Sequence, residues 1–476
     1  MAQGILLTPL IIKIAGTETY GWYVLLATSV GIIFGVSNLG IGIYAKRWLP
    51  SHDGSDERAK LFFPQFNFQI LSIIILSIIA MEIFKLGPRF NLWQTRGFWP
   101  WLIPLHLLSY VIYSQATDYF RYTHRIGWFN IGTVSQPYLF IGLSLAGYFW
   151  SSKLSISSLF FAKTLASTAV AIVLLKRLNQ EICFYPCLPS KQDAWEEMKV
   201  GFPLLLSYLV DVILSGGDRY VIAAIMSTRE VGQYSPAYTL GSLMIIMAKV
   251  FGVVIPPILS QRIDCGDETG AAELMTRSCR VFLLIALPFF VGSLMLGGDV
   301  LRLFANEEIA VAAWLVIPFV AMGTIFYGMI LIYSNLLFVR LKTHALFYIN
   351  AASAVLNIIL NCVLVFYFRD IVFAALATFI SYLFSYLWLK HLLAEDELVP
   401  RIRVVWLVKV GIMAIIMGLV IYGTKYIFIH IDLTLRTSLS GVFGIMSYLM
   451  LLTVWKSVAS EEICIFKEAW ARAWGK

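Results

Sequence analysis

Charge is scarce in this chain: of its 476 residues only 13% are Asp, Glu, Lys or Arg, against 59% that are hydrophobic. With a mean hydropathy of +0.79, that balance excludes an ordinary soluble domain. Long polar segments are lacking too. The largest interruption, KRLNQEICFYPCLPSKQDAWEEMK, runs only from Lys176 to Lys199, and the longest predicted outer loop is about a dozen residues. A glycan-joining active site needs catalytic groups on a substantial extramembrane loop and finds no room here, and no other enzyme signature is present. No Walker-type phosphate loop occurs, so ATP is not expected to drive the protein directly. The six cysteines are scattered; the closest two, Cys183 and Cys187, fall on the predicted cytoplasmic side, where disulfides seldom persist. With neither a CxxC pair nor a Cys/His cluster, no metal or cofactor site is expected.

What the chain has instead is apolar runs near or above the ~20 residues that cross a bilayer, repeated along its whole length. Hydropathy and periodicity predict an all-α polytopic membrane protein with fourteen helices, at about 3–15, 20–44, 66–86, 98–117, 126–150, 156–175, 200–226, 231–257, 280–300, 310–338, 345–367, 371–392, 404–428 and 436–455. The first is short, about 13 residues at ~1.5 Å each against a ~30 Å hydrocarbon core, which suggests a late recorded start or an incomplete first crossing. With the amino terminus inside, predicted inner loops and tail hold 22 of the 36 Lys and Arg and outer loops eleven. That bias places both termini in the cytoplasm. Basic inner loops facing anionic lipid also account for the net charge of +8, with no nucleic-acid partner required.

The chain repeats itself. TETYGWY at 17–23 and TREVGQY at 228–234 are 211 residues apart, and at this offset seven of the 41 positions from Thr17 to Glu57 are identical: Thr17, Gly21, Tyr23, Thr28, Asp53, Asp56 and Glu57. An internal duplication of this kind is a common plan for transporters. The expected organisation is a six-helix lobe over 1–176, a cytoplasmic linker at 177–199, a second six-helix lobe over 200–393, an extra helix pair at 394–456, and an amphipathic inner-surface tail at 457–476. Trp93 and GFWPW at 97–101 read as an outer interfacial belt.

Lys163, Asp211 and Lys249 lie near the middle of apolar runs. Each would cost roughly 2.5–3.5 kcal/mol facing lipid, so together they approach the whole net stability of a typical domain, about 5–15 kcal/mol. They are expected to face one another or water. Ser207, Asp211, Ser215 and Asp218 step along one face of the seventh predicted helix; Tyr234, Tyr238, Ser242 and Lys249 along the eighth; Asn350, Ser353, Asn357 and Asn361 along the eleventh. In the first half, Asn38 occupies the repeat position of Lys249, and Asn130, Thr133 and Gln136 share a face of the fifth helix. Such stripes serve either as hydrogen-bonded glue between helices or as a polar cavity lining. His106 reads as a satisfied core histidine or a proton-coupling group. Asp218 and Arg219, behind two glycines in SGGDRYV, make a local ion pair or present a planar fork to phosphate oxygens. Lys46, Arg47, Arg121 and Arg125 at predicted inner ends follow the positive-inside pattern, or gather a phosphate-bearing lipid from the inner leaflet.

Taken with the order of its motifs, the chain resembles the bacterial polysaccharide-unit flippases, the O-antigen and exopolysaccharide transporters, within the superfamily that includes the multidrug and toxin extrusion exporters. The resemblance rests on GFPLLLSYLVDVILSGGDRYVIAAIMSTREVGQYSPAYTLGSL at 201–243, GTETYGWYVLLATSVGIIFGVSNLGI at 16–41 and NAASAVLNIILNCVLV at 350–365. It implies a V-shaped pair of six-helix lobes in a bacterial cytoplasmic membrane. It also implies transport of an undecaprenyl-pyrophosphate-linked oligosaccharide by alternating access, alongside polysaccharide assembly machinery. Lys163, Lys249 and Arg219 would then attract the diphosphate or acidic sugars, Asp211 and Asp218 would hold those cations when the cavity is empty, and Asn38, Asn357 and Asn361 would line it. The alternatives are a drug or cation antiporter on the same fold, whose cavity should favour acids, and a membrane polysaccharide polymerase or ligase.

Overall fold

The computed structural model describes residues 2–52, 54–86, 99–151, 154–340 and 342–455. The amphipathic tail expected at 457–476, and Trp93, Gly97 and Phe98 of the aromatic belt, lie outside the described residues. Seventeen α-helices follow one another and no strand occurs among the described residues: α1 Ala2–Ala15, α2 Thr17–Ser37, α3 Ile43–Trp48, α4 Ser55–Leu86, α5 Leu102–Tyr122, α6 Ile126–Ser151, α7 Ile156–Glu181, α8 Lys191–Ile225, α9 Thr228–Gly241, α10 Met244–Asp264, α11 Glu268–Phe304, α12 Glu307–Ala313, α13 Val316–Val339, α14 Thr343–Phe368, α15 Val372–Leu392, α16 Val404–Ile427 and α17 Leu433–Val454. Among the described residues eleven of them are long and apolar enough to cross a bilayer. In lipid only such segments satisfy their backbone polar groups internally.

Each predicted helix has an observed counterpart, but three predicted as continuous are broken. The second ends at Ser37, because Asn38 accepts the Gly40 N–H on its Oδ1 at 2.9 Å and the backbone turns left-handed at Leu39, Gly40 and Gly42. The eighth is divided between α9 and α10 at Ser242–Leu243, and the tenth between α12 and α13 at Trp314–Leu315. Side-chain caps fix several starts: Ser155 for α7, Ser227 for α9, Asp267 for α11, Asn306 for α12 and Asp432 for α17 each accept a backbone N–H of the first turn.

The chain forms two compact units that divide inside α8, between Gly216 and Gly217. In the first unit α7 packs against α5 and α6, and α4 against α5. Its core cluster gathers Phe62, Phe63, Phe66, Tyr119, Phe120 and Leu174. Here α8 crosses the broken segment after α2 so closely that a Cβ on Gly201 would strike the Gly40 carbonyl, and Gly42 N–H donates to Glu197 Oε2 at 2.6 Å. In the second unit α13, apolar on every side, is buried along most of its length among α9, α10, α11 and α15. The α16–α17 pair closes on α11, with Tyr448 OH donating to the Leu284 carbonyl at 2.8 Å.

Candidate functional site

In the first unit the feature of interest is Lys163, the eighth of the 26 residues of α7. Its neighbours Ala162, Thr164, Ala166 and Ser167 are buried, while the lysine itself is half-buried with Nζ 5.3 Å from the centroid of the Tyr23 ring on α2. Tyr23 is held by Phe140 at 6.0 Å and Phe160 at 6.3 Å. The ammonium also acts electrostatically on Tyr110 and His106 of α5. His106 is fully buried, with Nδ1 3.2 Å from Thr164 Oγ1, and its Nε2 has no hydrogen-bond partner among the described residues. Within this unit no described carboxylate lies at ion-pair distance from Lys163. The site therefore offers a cation one aromatic face and no counter-charge.

Magnitudes decide what that means. A lysine in mid-membrane costs roughly 2.5–3.5 kcal/mol, and one aromatic face returns about 0.5–2 kcal/mol. The balance has to come from water or from an anion.

The other first-unit candidates are dispersed. Asp211 is exposed on α8, where its carbonyl accepts from Ser215 Oγ at 2.8 Å. Tyr208, one turn earlier, donates to the Gly31 carbonyl at 2.9 Å and fills the space left by Gly35. Asn38 serves the turn after α2. The polar face expected on the fifth predicted helix is split: Asn130 and Thr133 are exposed, whereas Gln136 is buried and donates to Ser167 Oγ at 3.2 Å. The basic residues proposed to meet lipid head groups are all exposed. Lys46 and Arg47 lie on α3, with Arg47 over Trp48; Arg121 sits over Tyr122 and pairs with Asp118; Arg125 pairs with Glu181.

The second unit brings a different group together. Asp218 is 1% exposed, and its carboxylate accepts from the buried Tyr234 hydroxyl on Oδ2 and from the Arg219 N–H on Oδ1. The Arg219 guanidinium lies 5.0 Å from the Tyr238 ring centroid. The stripe read from Tyr234 to Lys249 is not one face, because the helix breaks at Ser242–Leu243. Tyr234, Tyr238 and Ser242 are buried, whereas Lys249 is exposed on α10 beside Ile246, Val250 and Val253 and makes no ion pair within its own unit among the described residues. Asn357 and Asn361 are buried to 1% and 0% where α14 meets α15. There Asn357 donates to Thr378 Oγ1 at 3.4 Å, Asn361 donates to the Asn357 carbonyl at 2.9 Å, and Ser353 meets Ser385 at 2.5 Å.

Sequence reasoning missed a cluster at the far end of α11. Asp299 is 5% exposed and is surrounded by Lys425 at 2.6 Å, Arg302 at 3.4 Å and Arg436 at 3.7 Å. Its members come from α11, α16 and α17, with no local spacing to announce them. An apolar groove of about 560 Å³ runs between the same helices, lined by Leu284, Phe289, Leu296, Ile421, Ile445 and Leu449 among others.

The profile of the polysaccharide biosynthesis protein family matches residues 3–262, and the MatE profile matches residues 203–363. The probable flippase AglR of Haloferax volcanii is 26% identical over 207 residues, covering 42% of this chain and 43% of that protein. The match thus spans less than half of that relative. Among solved structures, the lipid II flippase MurJ in an inward closed conformation superposes with a TM-score of 0.69 at 17% identity, over 95% of this chain and 96% of that one. An inward-facing multidrug resistance MATE family transporter of the MOP superfamily gives 0.58 at 14% identity, over 83% and 93%. These likenesses establish the fold, a MATE-like bundle of membrane-spanning helices. The extent of the profile match settles the family: the chain belongs to the polysaccharide biosynthesis proteins.

Proposed function

We propose that this protein is a flippase that carries a polyprenyl-pyrophosphate-linked oligosaccharide across a bacterial cytoplasmic membrane by alternating access, with both termini inside, as one member of a polysaccharide assembly system. The observation that carries the reading is Lys163: a mid-membrane ammonium on one aromatic face, with no described carboxylate partner in its unit. Such a group suits a passenger that brings its own negative charge, and a pyrophosphate does. In the second unit Lys249 and Arg219 would supply further cations for such a passenger, with Asp218 bonded to the Arg219 N–H and to Tyr234. The apolar groove of the second unit has room for part of an isoprenoid chain. The family, and the name of the partial relative AglR, point the same way.

The MatE match over 203–363 favours a second reading, a drug or cation antiporter. A cation exporter needs an available acid, yet Asp218 is already bonded by a tyrosine and a backbone N–H. The test is in cells. Lys163→Gln and Lys249→Gln should each abolish surface polysaccharide with protein level unchanged, and neither should alter export of a cationic dye. Normal polysaccharide in both variants would overturn the assignment, and dye export lost with them would favour the antiporter.

A further inference from the structure

The segment that joins α7 to α8, 182–190, is fastened to α4. Ile182 is buried in the core cluster of the first unit, and the Phe184 ring meets Phe63 of α4 edge-on, centroids 5.1 Å apart. Farther along α4, Asn67 donates from Nδ2 to the Tyr185 carbonyl at 3.1 Å and to the Cys187 carbonyl at 3.0 Å. The segment therefore climbs α4 to the level of Asn67.

That level has a depth. α4 is one of the helices long and apolar enough to cross a bilayer; its apolar stretch opens after Lys60 and closes at the exposed Glu82–Lys85 ion pair. Asn67 lies seven residues past Lys60 and 18 before Lys85, about 10 Å from the one and about 27 Å from the other at ~1.5 Å per residue. Counted from Lys85, a hydrocarbon core ~30 Å deep reaches Asn67 and ends just beyond it.

Non-helical backbone at such a depth must have its polar groups satisfied. Pro186 and Pro189 carry no N–H, the Cys187 N–H donates to the Tyr185 carbonyl at 2.9 Å, and Asn67 serves the carbonyls of Tyr185 and Cys187. The large side chains are left outward: Phe184, Tyr185, Leu188 and, in the first turns of α8, Trp195 are 40–60% exposed. Lys191 is exposed beside them, and Lys199 Nζ lies 5.6 Å from the Trp195 centroid. Phenol and indole rings flanked by ammonium groups suit a membrane–water boundary, where cations also meet anionic lipid.

We propose that residues 184–188, with Trp195, form a membrane anchor lodged where head groups meet acyl chains, so that the connection between α7 and α8 has lipid as its partner. Depth decides for lipid over a soluble protein, because the edge lies at a level that acyl chains already occupy. The anchor needs α4 to cross the membrane and nothing from the transport reading.

The experiment places a nitroxide on single cysteines in full-length protein whose other cysteines are alanine, in vesicles of phosphatidylethanolamine and phosphatidylglycerol. The labelled sites are Phe184→Cys, Leu188→Cys and, for reference, the native Cys265, exposed in the turn after α10. With a water-soluble nickel chelate on both sides of the membrane, the labels at 184 and 188 should lose collisions with the chelate and gain collisions with oxygen relative to the label at 265. Equal access of the chelate to all three overturns the proposal and leaves the apolar edge to a protein partner. Where the cysteine-substituted protein does not fold, wild-type protein in the same vesicles is irradiated with a phospholipid carrying a diazirine at the top of its acyl chain. Adducts on 184–188 then support the anchor, and their absence overturns it.

Discussion

Tyr23 and Tyr234 occupy the same position of the internal repeat, 211 residues apart, and they do opposite work. In the first unit the ring of Tyr23 faces an ammonium, Lys163. In the second the hydroxyl of Tyr234 donates to a carboxylate, Asp218. Neither partner has a charged counterpart at the other repeat position, where Leu7 and Ala374 stand. Tyrosine can serve both because its face is electron-rich and its O–H is a donor, so the same residue type takes two electrostatic roles according to what lies beside it. The helices carrying them differ likewise. Both start in register, at Thr17 and Thr228, but α2 runs to Ser37 whereas α9 stops at Gly241. Each break lies by a glycine against another backbone: Gly40 against Gly201 and Phe202, Gly241 against the Ile317 carbonyl.

That contrast can be broken most forcefully at the glycines. Gly201→Val inserts atoms where the Gly40 carbonyl already sits, and Gly241→Val inserts them against Ile317 and Val320. Each should cost about 3 kcal/mol or more, seen as loss of monodisperse protein in detergent. Wild-type thermal stability in either would show that the close approach is not required. A smaller and more selective effect is expected at the tyrosines. Tyr234→Phe leaves the buried Asp218 short of a donor and should cost about 1–3 kcal/mol, whereas Tyr23→Phe keeps its ring and should be nearly silent. Tyr23→Leu should cost about 0.5–2 kcal/mol through the lost cation–π contact. Equal thermal shifts for the two Tyr→Phe variants would erase the distinction between the units.

The helices were legible because hydropathy over ~20 residues is a strong local signal. The breaks at Asn38–Gly42 and Ser242–Leu243 were not: each lies where a glycine meets another backbone, a contact no local pattern shows, and neither NLGIG nor LGSLM is more glycine-rich than segments that stay helical, such as SGGDR within α8. Lys163 stood out in the sequence as a charge in an apolar run and Asp218 as the acid of the SGGDRYV pair, but that Tyr23 and Tyr234 are what they meet was not legible there. A tyrosine in a membrane helix is ordinary until the structure shows what it touches. Asn357 and Asn361 are legible in the sequence as polar positions of one stripe, whereas their bonds are not: the Asn357 amide crosses to Thr378 on α15 and the Asn361 amide turns back to the Asn357 carbonyl of its own helix. Asp299 and its three cations come from three helices spread over 138 residues, beyond the reach of any local pattern.

The central claim is that a lone cation in the first unit meets an anionic passenger. It is tested most directly in proteoliposomes by the rate at which a fluorescent, short-chain polyprenyl-pyrophosphate oligosaccharide changes leaflet. Lys163→Gln should reduce that rate to the protein-free background while Lys163→Arg, which keeps the charge, retains a measurable fraction. A Lys163→Gln protein that moves the lipid as fast as wild type would contradict the account.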